Sequence, residues 1–307
     1  MTDKATRHLL DIDSLDSDTV QSLLNRAGAL AAGSAPSHLD MTVANLFFEP
    51  STRTRVSFEL AAQRLGMRVI NIELDRSSST KGESLTDTAA TLAAMGVDCI
   101  VLRHPETGRC HKLASEVPAG LSLLNAGDGR GHHPSQALLD AATIAALGMS
   151  WSALDLSIVG DIRHSRVARS GLQLFRRLGI GRLRAAGPPD MMPDDMDLAG
   201  VEVCTTLDEA LEDANAVMML RIQRERMDKT GWPDSKHYHQ EWGLTEARLA
   251  SAAPGCRVLH PGPINRGVEI AADVADGPRS LILKQVRMGV FMRMAILEWL
   301  AGRHQAN

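Results

Sequence analysis

Short apolar runs alternate with longer amphipathic stretches along most of the 307-residue chain. Runs rich in β-branched residues predict strands, and apolar residues three or four positions apart predict helices. Regular alternation of the two is typical of βαβ units and a parallel sheet. The predicted strands cover residues 42–48, 68–72, 99–102, 121–125, 156–159, 182–186, 216–220 and 257–260. The predicted helices cover residues 52–65, 84–95, 135–147, 166–178, 206–211, 245–252 and 285–301.

The pattern breaks near residues 148–154, where Gly148 ends one predicted helix and a new series of strands begins. We therefore predict an α/β protein with two doubly wound parallel-sheet lobes, at residues 1–148 and 149–284. The last helix, at about residues 285–307, has one apolar stripe, so we predict that it packs back on the first lobe. That stripe consists of Val286, Val290, Met294 and Leu297.

Composition and charge restrict the class of protein. A hydrophobic content of 44% with 23% charged residues is ordinary for a globular chain. A net charge of -4 and an aromatic content of 3% argue against nucleic-acid binding. No apolar run reaches the roughly 20 residues that cross a bilayer, and the first residues lack the apolar core of a signal peptide. We therefore predict a cytoplasmic protein with no nucleic-acid and no membrane partner.

The cysteines are scattered and form no C-x-x-C pair. They predict buried or free thiols in a reducing compartment, and neither a disulfide framework nor a zinc site. The histidines and carboxylates also lack metal-ligand spacing, so we expect no metal. The four cysteines are Cys99, Cys110, Cys204 and Cys256.

Residues 47–59 read "FFEPSTRTRVSFE", a group of hydroxyls and guanidiniums placed where a predicted strand meets a predicted helix. Pro50 ends the strand, Ser51 is placed to cap the helix, and Thr52–Thr54 form its first turn. A helix N-terminus attracts an anion, and Arg53 adds charge-assisted hydrogen bonds. The segment therefore predicts a phosphate site. It contains neither the Walker spacing nor the G-x-G-x-x-G of a dinucleotide fold.

Basic and polar side chains also follow other predicted strands of the first lobe. Arg103 follows "DCIVL", and the loop "AGDGRGHHPSQ" after "LSLLN" contains His133 and Gln136. Ligands of open parallel sheets bind at the carboxyl ends of the strands. Four nearby residues, Arg55, Asn125, Asp128 and His132, have the simpler interpretation of structural or surface residues.

The second lobe repeats the arrangement. "LDLSIVGD" leads to Arg166, "AVMML" leads to Arg221 and Gln223, and "CRVL" leads to an H-P-G-P turn with Gly262 and Pro263. Many cationic groups at parallel positions indicate an anion-binding active site, which we predict in the cleft between the two lobes.

Seven motifs together resemble the catalytic chains of aspartate carbamoyltransferases, within the aspartate/ornithine carbamoyltransferase superfamily. They are "FFEPSTRTRVSFE", "SSSTKGESLTDT", "VLRHPETG", "HHPSQALLD", "GDIRHSRVARS", "LRIQRERM" and "LHPGPINRGVEI". The resemblance runs from about residue 42 to the last helix. It implies transfer of the carbamoyl group of carbamoyl phosphate to L-aspartate, a step of pyrimidine synthesis that uses no cofactor.

The resemblance also implies a role for each matching residue. The residues expected to bind the phosphate are Ser51, Thr52, Arg53 and Thr54. Those expected to bind the carbamoyl group are Thr54, Arg103, His133 and Gln136. Those expected to hold the aspartate carboxylates are Arg166, Arg221 and Gln223. Gly262 and Pro263 are expected in a backbone loop that contacts both substrates. The catalytic set is Arg53, Thr54, Lys81, Arg103 and His133.

Members of this family are trimers whose sites are shared between subunits. The resemblance therefore implies a homotrimer in which Ser77 and Lys81, from "RSSSTKG", enter a neighbouring subunit's site. It leaves open whether regulatory chains or a dihydroorotase-type partner join the trimer.

Three other functions remain open from the sequence. The acceptor of the carbamoyl group could be ornithine or another amino acid, although a cationic acceptor needs an acidic wall and Arg166 and Arg221 are basic. The chain could be an inactive scaffold partner of a pyrimidine enzyme, although such a chain should have lost site residues. A nucleotide-binding or phosphate-binding module is the third alternative, and it lacks the glycine fingerprints.

Overall fold

The computed structural model describes residues 8–73, 83–194, 196, 198–223 and 234–304. The chain divides into two compact units, the first formed by residues 1–142 and 287–307 and the second by residues 143–286. Each unit contains a parallel sheet with flanking helices, which confirms the predicted α/β class with two parallel sheets.

The described strands of the first unit form a four-stranded sheet in the order β2-β1-β3-β4. These strands are β1 (Thr42–Phe47), β2 (Arg68–Glu73), β3 (Cys99–His104) and β4 (Ser122–Asp128). The α-helices that precede β5 in the chain are α1 (Ser17–Ala31), α2 (Thr52–Arg64), α3 (Leu85–Ala94), α4 (Arg109–Ala114) and α5 (Pro134–Ala145). The first five residues of β1 and all of β4 are buried, as expected for strands covered on both faces.

The described strands of the second unit form a five-stranded sheet in the order β7-β6-β5-β8-β9. They are β5 (Asp155–Val159), β6 (Arg182–Ala186), β7 (Glu202–Cys204), β8 (Ala216–Met219) and β9 (Arg257–Leu259). The later helices are α6 (Arg166–Arg177), α7 (Leu207–Leu211), α8 (Ser235–Trp242), α9 (Ala272–Asp276) and α10 (Ile282–His304). Residues 287–307, which include most of α10, belong to the first unit.

All eight predicted strands are confirmed within a few residues of their expected ends. The edge strand β7 was not predicted, because it has only three residues and two of them are exposed. Helix α1 was not predicted either, although Asp16 caps it and an apolar face is buried along it. That face consists of Val20, Leu23, Leu24, Ala27 and Leu30.

The α-helix predicted over residues 245–252 is wrong. The structure has a 3₁₀ turn at Arg248–Ser251 instead. Its backbone hydrogen bonds include an i to i+3 bond from the Ala250 N–H to the Ala247 carbonyl. Pro254 and Gly255 follow closely, so the segment ends before an α-helix can propagate.

The structure confirms that the cysteines are buried. All four cysteines are buried free thiols.

No helix among the described residues is both long enough and apolar enough to cross a membrane.

Candidate active site

Helix α2 starts directly after β1 and presents its N-terminus at the carboxyl edge of the first sheet. Ser51 occupies the N-cap position, as predicted, but its side chain makes no capping hydrogen bond. The first backbone bond of the helix runs from the Arg55 N–H to the Ser51 carbonyl. The first turn holds Thr52, Arg53 and buried Thr54, with no acidic residue. Because the amides of a first helical turn have no intrahelical acceptor, this end of α2 suits an anion.

Arg103 lies near the end of β3, in the strand next to β1, and its side chain is held from two sides. Its Nε lies 3.2 Å from the Glu49 carboxylate, which follows β1. Its Nη1 donates to the Ala126 carbonyl in β4 at 3.3 Å. Because β1 and β3 are in register with Phe47 opposite Arg103, the guanidinium stands at the same sheet edge as the start of α2.

His133 ends a loop that buried Asp128 organises after β4. The Asp128 carboxylate accepts from the backbone N–H of His132 at 2.7 Å and from that of Gly108 at 3.0 Å. Asn125 also donates its amide to Asp128, at 3.2 Å. These contacts agree with the structural role predicted for Asn125, Asp128 and His132. They leave His133, with 3% of its surface exposed, at the start of α5.

Gln136 lies in the first turn of α5 and is 8% exposed. Its Nε2 donates to the Asp140 carboxylate at 2.9 Å, one helical turn further along. Neighbouring strands β1, β3 and β4 thus bring seven predicted residues to one edge of one sheet, and we call them the first-unit site. These residues are Ser51, Thr52, Arg53, Thr54, Arg103, His133 and Gln136.

The second unit brings its predicted residues to the ends of β5, β8 and β9, which are neighbours in its sheet. We call them the second-unit site: Arg166, Arg221, Gln223, Gly262 and Pro263. Arg166 is the first residue of α6 and is 3% exposed. The preceding residue, Ser165, caps α6 by accepting from the Ala168 N–H at 3.1 Å.

Two buried carboxylates hold the backbone around Arg221. The Gln223 N–H donates to Asp161 at 3.1 Å, and the Ile222 N–H donates to Glu269 at 3.0 Å. Asp161 also accepts from the His164 ring Nδ1 at 2.8 Å. Burial raises the pKa of Glu269 above its usual value, although these hydrogen bonds oppose the shift. The carboxylates therefore fix the segment that carries Arg221 and Gln223.

The loop with Gly262 and Pro263 follows β9. Gly262 has a φ of 66°, in the left-handed region that glycine adopts without steric cost. Its N–H donates to the ring Nδ1 of His260 at 2.8 Å, and the His260 N–H donates to the Gln285 side chain at 2.9 Å. The same Glu269 that holds Ile222 also accepts from the Asn265 side chain, at 2.6 Å. The loop after β8 and the loop after β9 are thus tied to one another.

Sequence reasoning missed the acidic residues that hold these sites. Asp161 had a local signal, because it follows β5 directly in "IVGD". Glu49 had the same local signal, because it comes directly after β1, but its partner Arg103 is distant in sequence. Glu269 had none, since its partner Ile222 is also distant in sequence. Ser77 and Lys81 lie outside the described residues. Within the described ranges, no group of three or more His, Cys, Asp or Glu residues is arranged to hold a metal ion.

The two units therefore define a parallel α/β protein with cationic and polar side chains at the strand ends of both sheets. Two family models match it: "Aspartate/ornithine carbamoyltransferase, carbamoyl-P binding domain" over residues 7–146 and "Aspartate/ornithine carbamoyltransferase, Asp/Orn binding domain" over residues 152–300. The chain belongs to the aspartate/ornithine carbamoyltransferase family.

Its relatives include the aspartate carbamoyltransferase catalytic subunits of Stenotrophomonas maltophilia and Xylella fastidiosa. The first is 49% identical over 304 residues, which cover 96% of each chain. The second is 52% identical over 303 residues, covering 96% of this chain and 94% of the other. The structure is also similar to aspartate transcarbamoylase from Trypanosoma cruzi in complex with N-(phosphonacetyl)-L-aspartic acid. That similarity has a TM-score of 0.84 at 32% identity, and it covers 95% of this chain and 94% of the other.

Proposed function

We propose that this chain transfers the carbamoyl group of carbamoyl phosphate to the amine of L-aspartate. The products are N-carbamoyl-L-aspartate and phosphate, and the step belongs to de novo pyrimidine biosynthesis. The observation that carries the proposal is the similarity, over nearly the whole chain, to catalytic subunits of aspartate carbamoyltransferases. The first-unit site and the second-unit site give that similarity a chemical basis.

The first-unit site binds carbamoyl phosphate. The phosphate lies at the N-terminus of α2, where Ser51, Thr52 and Thr54 offer hydroxyls and Arg53 offers positive charge. The absence of acidic residues from that first turn supports the assignment, because a carboxylate there would repel the dianion.

The carbamoyl group lies beside Thr54, Arg103 and His133. The aspartate amine attacks the carbamoyl carbon, negative charge develops on the carbamoyl oxygen, and the bond to the phosphate oxygen breaks. Donors that are already in place stabilise that charge without reorganising. Arg103 is such a donor, since Glu49 and the Ala126 carbonyl hold its guanidinium. The proton lost by the amine leaves on the departing phosphate, so no side-chain base is required.

The second-unit site binds the acceptor amino acid. Arg166 and Arg221 pair with the two carboxylates of aspartate, and Gln223 adds a hydrogen bond. Two arginines favour aspartate over ornithine, whose side chain carries a positive charge. Both substrates must be held in contact to react. Holding two reactants in a reactive geometry can lower the activation barrier by about 7–11 kcal/mol. The predicted cleft between the lobes stays a prediction.

No cofactor and no metal take part in this chemistry, because carbamoyl phosphate already carries a good leaving group. A thiol nucleophile is not needed either. Burial raises the pKa of Cys204 to about 11 and that of Cys256 to about 12, which keeps both as neutral thiols near neutral pH.

We also propose that the enzyme is a cytoplasmic homotrimer. Ser77 and Lys81 then act in the site of a neighbouring subunit, as the family resemblance implies. Four free thiols suit a reducing compartment. Regulatory chains or a dihydroorotase-type partner would enlarge this trimer.

The direct test is an assay of the purified chain with carbamoyl phosphate and either aspartate or ornithine, without added metal or cofactor. We expect carbamoyl-aspartate and phosphate to form in equal amounts, with little turnover of ornithine. Gel filtration of the same sample reads the assembly size. Preference for ornithine, or no turnover of either acceptor, would refute the proposal.

A further inference from the structure

The last helix carries a buried arginine that the proposed chemistry does not use. Arg293 is 3% exposed and donates from Nη1 to the Gly289 carbonyl at 2.9 Å. Its guanidinium lies over the Phe58 ring, 4.9 Å from the centroid. Burial lowers its pKa to about 10, and the nearby Asp140 carboxylate opposes that shift. A buried arginine is unusual unless a partner of opposite charge accompanies it.

The Asp140 carboxylate is the acidic group whose charge acts on Arg293, although the two side chains form no direct ion pair, and it also contacts the first-unit site. It is 1% exposed and accepts from Gln136 Nε2 at 2.9 Å. A carboxylate only accepts hydrogen bonds, so the amide nitrogen of Gln136 must face Asp140. The amide oxygen of Gln136 then points the other way and remains able to accept from an NH₂ group, such as that of the carbamoyl group.

Arg293 also touches the helix that carries the phosphate ligands. Phe58 lies on α2, one turn after Thr54, while Asp140 lies on α5. One side chain of α10 therefore contacts α2 directly and is influenced by the charge of a residue on α5, and both helices begin at the first-unit site. Gly289 makes room for it: a Cβ there would lie 2.7 Å from Arg293 Nη1 and 3.3 Å from Leu139.

We propose that Asp140 and Arg293 are positioning residues. Asp140 turns the Gln136 amide oxygen towards the carbamoyl NH₂, and the positive charge of Arg293 favours the anionic form of the buried Asp140 carboxylate. This inference rests on the proposed function, and it adds specificity for the carbamoyl end of the first substrate. Phosphate binding involves α2 and not Gln136, so we expect it to be independent of Asp140.

The test compares two ligands that differ only at the carbamoyl end. Phosphonoacetamide is a stable analogue of carbamoyl phosphate with a methylene in place of the bridging oxygen, and inorganic phosphate lacks the carbamoyl end. An Asn side chain can either donate or accept, so Asp140→Asn no longer fixes the direction of the Gln136 amide. In Asp140→Asn and Arg293→Met we expect phosphonoacetamide to bind up to about tenfold more weakly, as for loss of one hydrogen bond between neutral groups. We expect the affinity for phosphate to stay near the wild-type value.

Three further variants separate positioning from general damage. Arg293→Lys keeps the positive charge and should recover part of the wild-type difference in affinity between phosphonoacetamide and phosphate. The double variant Asp140→Asn/Arg293→Met should lose no more than either single variant, because the two residues act through one hydrogen bond. Arg287→Met is the matched control, since Arg287 is exposed on the same helix.

If the variants bind phosphonoacetamide and phosphate with the same ratio of affinities as the wild type, the positioning role is overturned. If Arg293→Met does not fold, Asp140→Asn and Arg293→Lys give the same comparison. Turnover by the wild-type chain tests the proposed function separately. Suppose that the wild-type chain converts both substrates while the variants keep the wild-type ratio of affinities for phosphonoacetamide and phosphate. That result would overturn this inference and leave the proposed function intact.

Discussion

At the scale of single residues, the structure fixes the position of His133 in the first-unit site. The Asp128 carboxylate holds the loop before it, and only 3% of His133 is exposed. We expect His133→Ala to lower kcat by about 10²–10³-fold, as when an oxyanion-hole donor is removed. Steady-state rates with both substrates saturating measure the effect.

His132 provides the matched control for that substitution. Its backbone makes the hydrogen bonds to Asp128, and a substitution of the ring leaves them in place. We expect His132→Ala to keep kcat within about threefold of wild type, since it changes no proposed ligand. Equal losses in the two variants would contradict a chemical role for His133.

Asp161 has the corresponding supporting position in the second-unit site. Its carboxylate holds the Gln223 N–H and the His164 ring together. We expect Asp161→Asn to raise the KM for aspartate by about tenfold or more, because a buried charged acceptor is lost. The KM for carbamoyl phosphate should change much less. Initial rates with each substrate varied in turn measure both constants.

Asp194 is a suitable control for Asp161. Its side chain is 86% exposed and pairs with Arg163 at 2.9 Å. Exposed ion pairs contribute little, so Asp194→Asn should leave both KM values unchanged. A rise in both KM values for Asp161→Asn would instead indicate damage to the whole unit.

At the scale of elements, one ion pair joins the first and last helices of the first unit. Arg26 on α1 donates to Glu298 on α10, with Nη2 at 2.7 Å, and the Ser37 N–H donates to the same carboxylate at 2.8 Å. Burial raises the pKa of Glu298, but these hydrogen bonds outweigh it and hold the pKa below its usual value of 4.5. We expect Glu298→Gln to cost about 1.5–3 kcal/mol of unfolding free energy at pH 7.

That stabilisation should depend on pH in one direction. A carboxyl with a lowered folded-state pKa stabilises fully above its unfolded pKa, and the effect disappears as pH falls through the folded value. The difference between wild type and Glu298→Gln should therefore shrink below about pH 4.5, as urea unfolding at several pH values can measure. Asp40→Asn, which removes an exposed pair with Arg68, should have almost no effect at any pH. A constant difference across the pH range would contradict the linkage.

At the scale of the whole molecule, the proposed trimer can be tested by mixing two inactive variants. Each proposed site takes Arg53 from one chain and Lys81 from a neighbour. Trimers formed at random from equal amounts of Arg53→Ala and Lys81→Ala should have about one quarter of their sites intact. We expect activity to return after unfolding and refolding the mixture.

Each variant refolded alone provides the control, and it should stay inactive. Activity that does not return in a mixture of correct assembly size would contradict sharing of sites between subunits.

The sequence by itself determined most of the strands and the residues at their ends. Buried parallel strands are short apolar runs, and helix starts such as the one after Pro50 have local signals. The residues of the first-unit and second-unit sites follow those runs directly, which is why they were visible without a structure.

Only the tertiary structure decided which groups hold those residues. The contacts of Glu49 with Arg103 and of Glu269 with Ile222 join residues far apart in the chain, and the charge of Asp140 acts on the equally distant Arg293. Local periodicity carries no information on such pairs, because they depend on which strands and helices become neighbours. The same reason explains the missed edge strand β7 and the 3₁₀ turn at Arg248–Ser251, where short segments take their form from their surroundings.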